Sequence, residues 1–411
     1  LEEHLRHVFC HNFPEVLADT TNKVVWGDIT QVPDDQFPTP ADSQLDLLVG
    51  GFPCQPFSSL GDQPGFECTK SGNLFLDIAR CLRVSQPKAF LLENVPGLLT
   101  MTDTYNTILQ TLRDVGYAVT SEIITSRCLT STKRKRLYIV GFRNNNHQQQ
   151  QDDDNDNNDG EEAEPFRFPY IPDLGLRSND VLDYDELSDD ELSIIRLADH
   201  TLHQLLTARR FKRQNLAWPN VVCSPLISHY GNAVGRGESQ LVPCASPYPP
   251  RRFSIRECAR LMGFPNWYEF LPPRDHQCPM TYRKEHYRMI GNAVCPPVIA
   301  AIAGSILDRI NIPVPVMSGV SASLSLSQEG MNNYVDRGRL VAIELAAASL
   351  RPNGKAPLPI GCLIPTEYAE YGYISDDTTK VATSTTTNDR SMDDDDHDED
   401  DDEEDDHNDE N

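Results

Sequence analysis

Cys54 stands in the stretch Gly50-Gly51-Phe52-Pro53-Cys54-Gln55-Pro56-Phe57-Ser58, directly after the apolar run Leu45-Asp46-Leu47-Leu48-Val49. That run reads as a buried parallel strand. The glycines and prolines around the thiol forbid regular structure and force a shaped loop. A thiol at the carboxyl end of a strand lies where open α/β sheets place their ligands. Most free cysteines are buried structural residues, so the groups downstream decide between the two readings. In Ala89-Phe90-Leu91-Leu92-Glu93-Asn94-Val95-Pro96-Gly97 a second apolar strand ends in a carboxylate and an amide before a Pro-Gly turn. A partly desolvated carboxylate there has a raised pKa and can donate a proton near neutral pH. In Thr132-Lys133-Arg134-Lys135-Arg136, alternate basic residues run into the strand Leu137–Phe142 and can share one face. Two guanidiniums suit phosphate or a polar base edge.

Two later segments complete the set: Arg251 through Pro265 (RRFSIRECARLMGFP) and Ile290-Gly291-Asn292-Ala293-Val294. Together these motifs resemble, in order, those of the cytosine-5 DNA methyltransferase family. Cys54 falls in its PCQ motif, Glu93 and Asn94 in ENV, and Arg134 and Arg136 in QxRxR, with Thr132 in place of the glutamine. The later two look like RxLTxRExARLxGFP and GNAV. The resemblance covers the chain from about its first residue to residue 310.

The resemblance implies a Rossmann-like, S-adenosylmethionine-dependent α/β sheet with a small irregular target recognition domain. Its chemistry adds a thiolate to carbon 6 of cytosine while N3 is protonated. The attack is assigned to Cys54 and the N3 contact to Glu93. Arg134 is expected to contact the base and stabilise Glu93, Asn94 to shape the pocket, and Gln55 and Arg136 belong to the same catalytic set. The base must leave the duplex to be reached, and Ser58 to Gly72 corresponds to the loop that closes over it. For S-adenosylmethionine the implied contacts are Asp28 to the adenine amino group, Leu74 and Phe75 along the methionine part, Asn292 at the amino-acid end, and Pro53. Val24 to Ile29 reads as a strand ending in an acid, so a plain strand-end turn also accounts for Asp28.

The pattern breaks in two places. The family's glycine-rich cofactor turn has no counterpart, and Leu1-Glu2-Glu3-His4 aligns with the helix after the second strand. This reads as a truncated chain, for which weak S-adenosylmethionine binding is the expectation. In the loop, Cys68-Thr69-Lys70-Ser71-Gly72 replaces DxRG, and Asp62 and Glu67 stand where relatives are often basic.

The net charge of −26 is localised: Asp393 to Glu410 holds 15 acids and Asp152 to Glu164 another 8, leaving about −3 elsewhere. Such runs stay solvated and disordered; contact with basic chromatin proteins through the tail is the lesser reading. Eleven cysteines without a CxxC pair argue for a reducing compartment and no metal site. His200 and His203, at i and i+3, read as a helix surface. No apolar stretch is read as long enough to span a bilayer, so no membrane partner is expected.

By organisation, residues 1–143 alternate strands and amphipathic helices, such as 73–85 and 105–115. This predicts a mostly parallel sheet covered on both faces. Residues 144–165 read as a disordered acidic linker and 166–250 as the target recognition domain, with the basic cluster Arg209 to Arg213 and the loop Ser228 to Gly237. Residues 251–310 return to the first domain, with helices at 255–262 (Ser254 as N-cap, Gly263 ending it) and 295–308. The extension 311–411 has no family counterpart; Arg339 to Leu350 reads as a short helix and the acidic tail as disordered. The leading function is methylation of cytosine in double-stranded DNA by a monomer. Asparagine and aspartate runs of eukaryotic type point to the nucleus. A tRNA methyltransferase of the same fold, or a non-catalytic DNA-binding descendant, are the alternatives. The chain has no Cys-Phe-Thr tripeptide of the tRNA enzymes.

Overall fold

The structure, a computed structural model, describes residues 3–14, 28–41, 44–52, 74–144, 164–183, 187–197, 201, 216–217, 220–228, 230, 240–244, 250–272, 279–312, 337–352 and 354. Helix α1 (Glu3–Asn12) comes first, followed by strand β1 (Leu47–Gly51) and helix α2 (Leu74–Ser85). Then come β2 (Ala89–Asn94), α3 (Thr102–Asp114), β3 (Tyr117–Thr125) and β4 (Lys135–Arg143). The strands form one sheet in the order β1-β2-β4-β3.

β1 runs parallel to β2, whereas β4 is antiparallel to both β2 and β3. This corrects the expectation of a mostly parallel sheet, since one of the three pairings among the described strands is parallel. The cause is the connection. A parallel neighbour needs a crossover of a dozen or more residues, and the turn 126–134 between β3 and β4 is too short to carry one.

β2 is apolar without interruption because both its faces are covered. Phe90 and Leu92 pack with Phe52, Phe75, Leu82, Ile108 and Leu112 under α2 and α3. Ala89 and Leu91, of the opposite parity, pack with Tyr138, Val140 and residues 295–306. In register with Phe90, Gly141 leaves room for its ring; a methyl there would sit 2.2 Å from Phe90 Cε1.

The chain continues through α4 (Asp189–Ile195), α5 (Ile255–Leu261), α6 (Pro279–Asn292), α7 (Pro296–Arg309) and α8 (Arg337–Ala348). Helix α5 starts as the sequence predicts. Ser254 Oγ accepts from the Glu257 amide and the Glu257 carboxylate accepts from the Ser254 amide, a reciprocal cap. It ends at Gly263, whose φ of +81° favours glycine. Helix α7 begins with Pro296 at its first position and docks Val298, Ile302 and Ile306 on the sheet, also as predicted.

A second core joins Val181, Leu182, Cys223, Leu226, Tyr230 and Val242 to α5 and α6. Residues 166–174, by contrast, pack into the sheet core through Phe166, Ile171 and Leu174. Helix α8 forms two residues earlier at each end than the predicted 339–350 helix, and with the residues that follow it bridges both cores. Ala342 and Ala346 pack in the sheet core, Leu350 packs against the second, and Arg351 Nε reaches Asp183 Oδ1 at 3.1 Å.

One reading of hydropathy needs correction. The helical stretch Arg283–Arg309 is long and apolar enough, by composition, to cross a membrane. It is two helices, α6 and α7, broken at 293–295, and half of its most apolar window is buried inside the protein. Its apolarity is that of a core element.

Candidate active site

Glu93 lies at the carboxyl end of β2, opposite Gly51 of β1 and Tyr138 of β4. Its Oε1 is 3.0 Å from Arg136 Nε, and both side chains are about four-fifths buried. Desolvation pushes the Glu93 carboxyl above the ordinary carboxylate range, against the opposing pull of Arg136 and Arg134. A group so placed keeps a proton longer than a surface acid and still has a guanidinium to orient it. Gly51 lies beside this carboxyl: a methyl there would make an ordinary contact with Glu93 Oε2 at 3.6 Å.

Asn94, the next residue, is buried. Its Nδ2 donates to the Phe52 carbonyl at 2.9 Å, and its Oδ1 accepts from the Val95 amide at 2.8 Å. The amide side chain therefore ties the end of β2 to the residue that immediately precedes Pro53 and Cys54. Pro53, Cys54 and Gln55 lie outside the described residues, as do the loop 58–72, His200, His203 and the basic cluster 209–213.

The two arginines stand differently toward Glu93, although both oppose the rise in its pKa. Arg136, not Arg134, pairs with Glu93. Arg134 is 4% exposed; its Nη1 donates to the Leu226 carbonyl at 3.1 Å and its Nη2 to the carbonyls of Gly291 and Ala293 at 3.0 and 2.9 Å. Burial, with Arg136 nearby, lowers its pKa to about 10, so it remains a cation at neutral pH. Their places relative to the strand, not the alternation along 132–136, account for the division. Arg136 belongs to β4, beside Glu93 in the sheet, while Arg134 precedes the strand and meets the chain arriving from 226 and 291. Thr132, where the family has glutamine, is buried with Ser126 and Thr130 and lies 3.4 Å from the Leu261 carbonyl.

Of the residues implied for S-adenosylmethionine, Asp28, Leu74, Phe75 and Asn292 are described. Asp28 caps the 29–31 turn, where its Oδ1 accepts from the Thr30 amide at 3.0 Å and the Thr30 hydroxyl at 2.8 Å. Arg80 of α2 holds that turn by donating to the Ile29 and Val32 carbonyls and pairing with Asp34. Asp28 is exposed in this turn. Leu74 is half-buried, and Phe75 is buried against Phe52. Asn292 is exposed on a cavity of about 380 Å³ between α1, α6 and residues 264–270, lined also by His4, Val8, Tyr268, Phe270 and Met289. Neither Asp28, Leu74 nor Phe75 reaches that cavity.

Three structural residues escaped the sequence. Arg251 forms a two-pronged pair with Glu257, 2.8 Å at each nitrogen, with both side chains fully buried. Asp183 receives Arg260 and Arg351. Gly291 passes so near the chain at Ile227 and Ser228 that a methyl would lie 2.5 Å from backbone atoms. The motif around Glu257 was visible, but no spacing rule joins residues so far apart as 183 and 351.

The sequence model of the C-5 cytosine-specific DNA methylase family matches residues 2–308. Type II methyltransferase M.NlaX of Neisseria lactamica is 34% identical over 298 residues, which cover 70% of this chain and 82% of that protein. M.BsuFI of Bacillus subtilis is 30% identical over 306 residues, covering 69% of this chain and 62% of the relative. The chain therefore spans less than two thirds of the length of M.BsuFI, and of M.MspI of Moraxella sp, where the share is 60%. Among solved structures, S. pombe Dnmt2 methyltransferase aligns with a TM-score of 0.53 at 19% identity, over 74% of this chain and 88% of that one. Entamoeba histolytica methyltransferase EhMeth gives 0.51 at 15%, over 75% and 88%. Both share the fold. With the motif order, the acid–arginine pair at the sheet edge and a family match over most of its length, this chain belongs to the C-5 cytosine-specific DNA methylase family.

Proposed function

We propose that the protein is a DNA cytosine-5 methyltransferase with S-adenosylmethionine as donor and Cys54 as nucleophile. The observation that carries this reading is the Glu93–Arg136 pair. It combines a carboxyl of raised pKa, an orienting guanidinium at 3.0 Å, and a strand partner, Gly51, that precedes Cys54 by three residues. In this reaction the Cys54 thiolate adds to carbon 6 of an extruded cytosine, and the Glu93 proton goes to N3. Carbon 5 becomes electron-rich and takes the methyl group that bound S-adenosylmethionine would supply, the donor leaving as its thioether. Loss of the carbon 5 proton to a base then expels the thiolate, N3 returns its proton to Glu93, and the ring is restored. Arg136 keeps the carboxyl aimed, and Asn94 anchors the strand end from which the nucleophile segment departs.

With this reading go recognition of duplex DNA by residues 166–250, action as a monomer and a nuclear location, the last resting on the asparagine and aspartate runs. The acidic tail would contact basic chromatin proteins.

The test is incubation of the full chain with labelled donor and either duplex DNA or tRNA, together with trapping on DNA containing 5-fluorocytosine. Label in DNA and a covalent adduct that vanishes in Cys54→Ser support the proposal. Label in tRNA alone, or an adduct that persists in Cys54→Ser, overturns it.

A further inference from the structure

Arg134 sits where two distant stretches of chain cross. One is Leu226–Ser228, and the other is Gly291–Ala293 at the end of α6. The guanidinium donates to a carbonyl of the first and to two carbonyls of the second. At the same place the two backbones touch directly, for a methyl on Gly291 would sit 2.5 Å from the Ile227 carbonyl carbon and the Ser228 nitrogen. These are independent signs of one close crossing: a glycine that permits it and a planar cation that spans it.

The choice of partners separates Arg134 from three other arginines of the structure. Arg136 faces Glu93, Arg251 faces Glu257 and Arg260 faces Asp183, each a carboxylate. The hydrogen-bond acceptors described for Arg134 are all neutral backbone carbonyls. Glu93 acts on Arg134 through space, but the hydrogen bonds described for it go to backbone. A rigid fork with several donors at fixed angles is suited to fastening backbone to backbone, and a lysine ammonium on a flexible stem is not. The two carbonyls held on the far side flank Asn292, whose side chain faces the open cavity.

We infer that Arg134 is a positioning residue, which fastens Leu226–Ser228 to Gly291–Ala293 and so holds the recognition region and Asn292 in one orientation relative to Glu93. This rests on the reading of residues 166–250 as the DNA-recognising part, and it replaces the direct base contact expected for Arg134. The fastening acts through backbone. Its loss therefore loosens two specific segments and weakens productive DNA binding, while the acid–arginine pair on β2 and β4 stays intact.

The experiment compares hydrogen exchange of the full wild-type chain with Arg134→Lys, following peptides that cover 221–228 and 290–295, alongside steady-state methylation of an unmodified DNA duplex. In Arg134→Lys both peptides should exchange roughly tenfold faster while those from β2 and β4 keep wild-type protection. KM for DNA should rise about tenfold with kcat changed only a few-fold. Arg136→Lys should leave both crossing peptides at wild-type protection. If Arg134→Lys does not fold, Gly291→Ala, which wedges the crossing apart with the arginine in place, should give the same two-peptide pattern. Unchanged exchange in the crossing peptides, equal loss of protection across β2 and β4, or a collapse of kcat at constant KM would each overturn the inference. Absence of methyl transfer by the wild type would sink the proposed function alone, since the exchange measurement does not depend on it.

Discussion

Gly291→Ala tests the crossing from the steric side. The new methyl would lie 2.5 Å from Ile227 carbon and Ser228 nitrogen and 2.6 Å from the Ile227 oxygen. All three atoms are backbone, so no side chain can rotate away. Ordinary contact between such atoms needs about 3.5 Å, which requires a displacement of roughly 1 Å. That displacement would carry the Leu226 carbonyl from 3.1 Å to about 4 Å from Arg134 Nη1, beyond hydrogen-bonding range. Overpacking costs about 1–3 kcal/mol, and losing a charge-assisted bond in a buried site costs roughly 1.5–3 kcal/mol. The expected destabilisation is therefore about 3–5 kcal/mol, read from urea unfolding followed by circular dichroism. Gly97→Ala is the control, because a methyl there would meet nothing within 4 Å. The double variant with Arg134→Lys should be less destabilised than the sum of the two, because both lose the same contact. A cost below about 1 kcal/mol for Gly291→Ala, or full additivity with Arg134→Lys, would refute this reasoning.

Removing one partner of a fully buried ion pair strands the other charge, so Arg251→Ala should destabilise the protein by about 3–5 kcal/mol in the same unfolding measurement. Asn94→Ala deletes the bond to the Phe52 carbonyl in a buried setting, and a loss of roughly 1–3 kcal/mol is expected. It should come with slower adduct formation on 5-fluorocytosine DNA, whereas an unchanged rate would separate Asn94 from the nucleophile segment. Glu93 has its folded pKa above its unfolded value. Between those two values the folded chain holds a proton that the unfolded chain lacks, so its contribution to stability declines as pH rises through that window. Comparing the pH dependence of unfolding for wild type and Glu93→Gln should show this decline in the wild type only; parallel curves would contradict the desolvation argument.

Local chemistry was legible from residue order alone. The sequence marks the strand ending in Glu93 and Asn94, the α5 cap of Ser254 with its Gly263 stop, and the apolar face of α7. Each is set by groups a few residues apart, where periodicity and capping act. The antiparallel entry of β4 was less visible, since alternating apolar runs look alike in either direction until the turn 126–134 proves too short for a crossover. Tertiary structure alone decided which arginine serves the acid. Arg134 and Arg136 differ by two residues and share a parity, and sequence offers no way to see that carbonyls from 226 and 291 converge on the first while Glu93 faces the second. The same holds for Arg351 and Asp183, joined across 168 positions by packing of α8 over two cores. Residue type determines what a group can bond to; the folded chain determines which partner arrives, because desolvated polar groups must be satisfied by whatever the packing brings near.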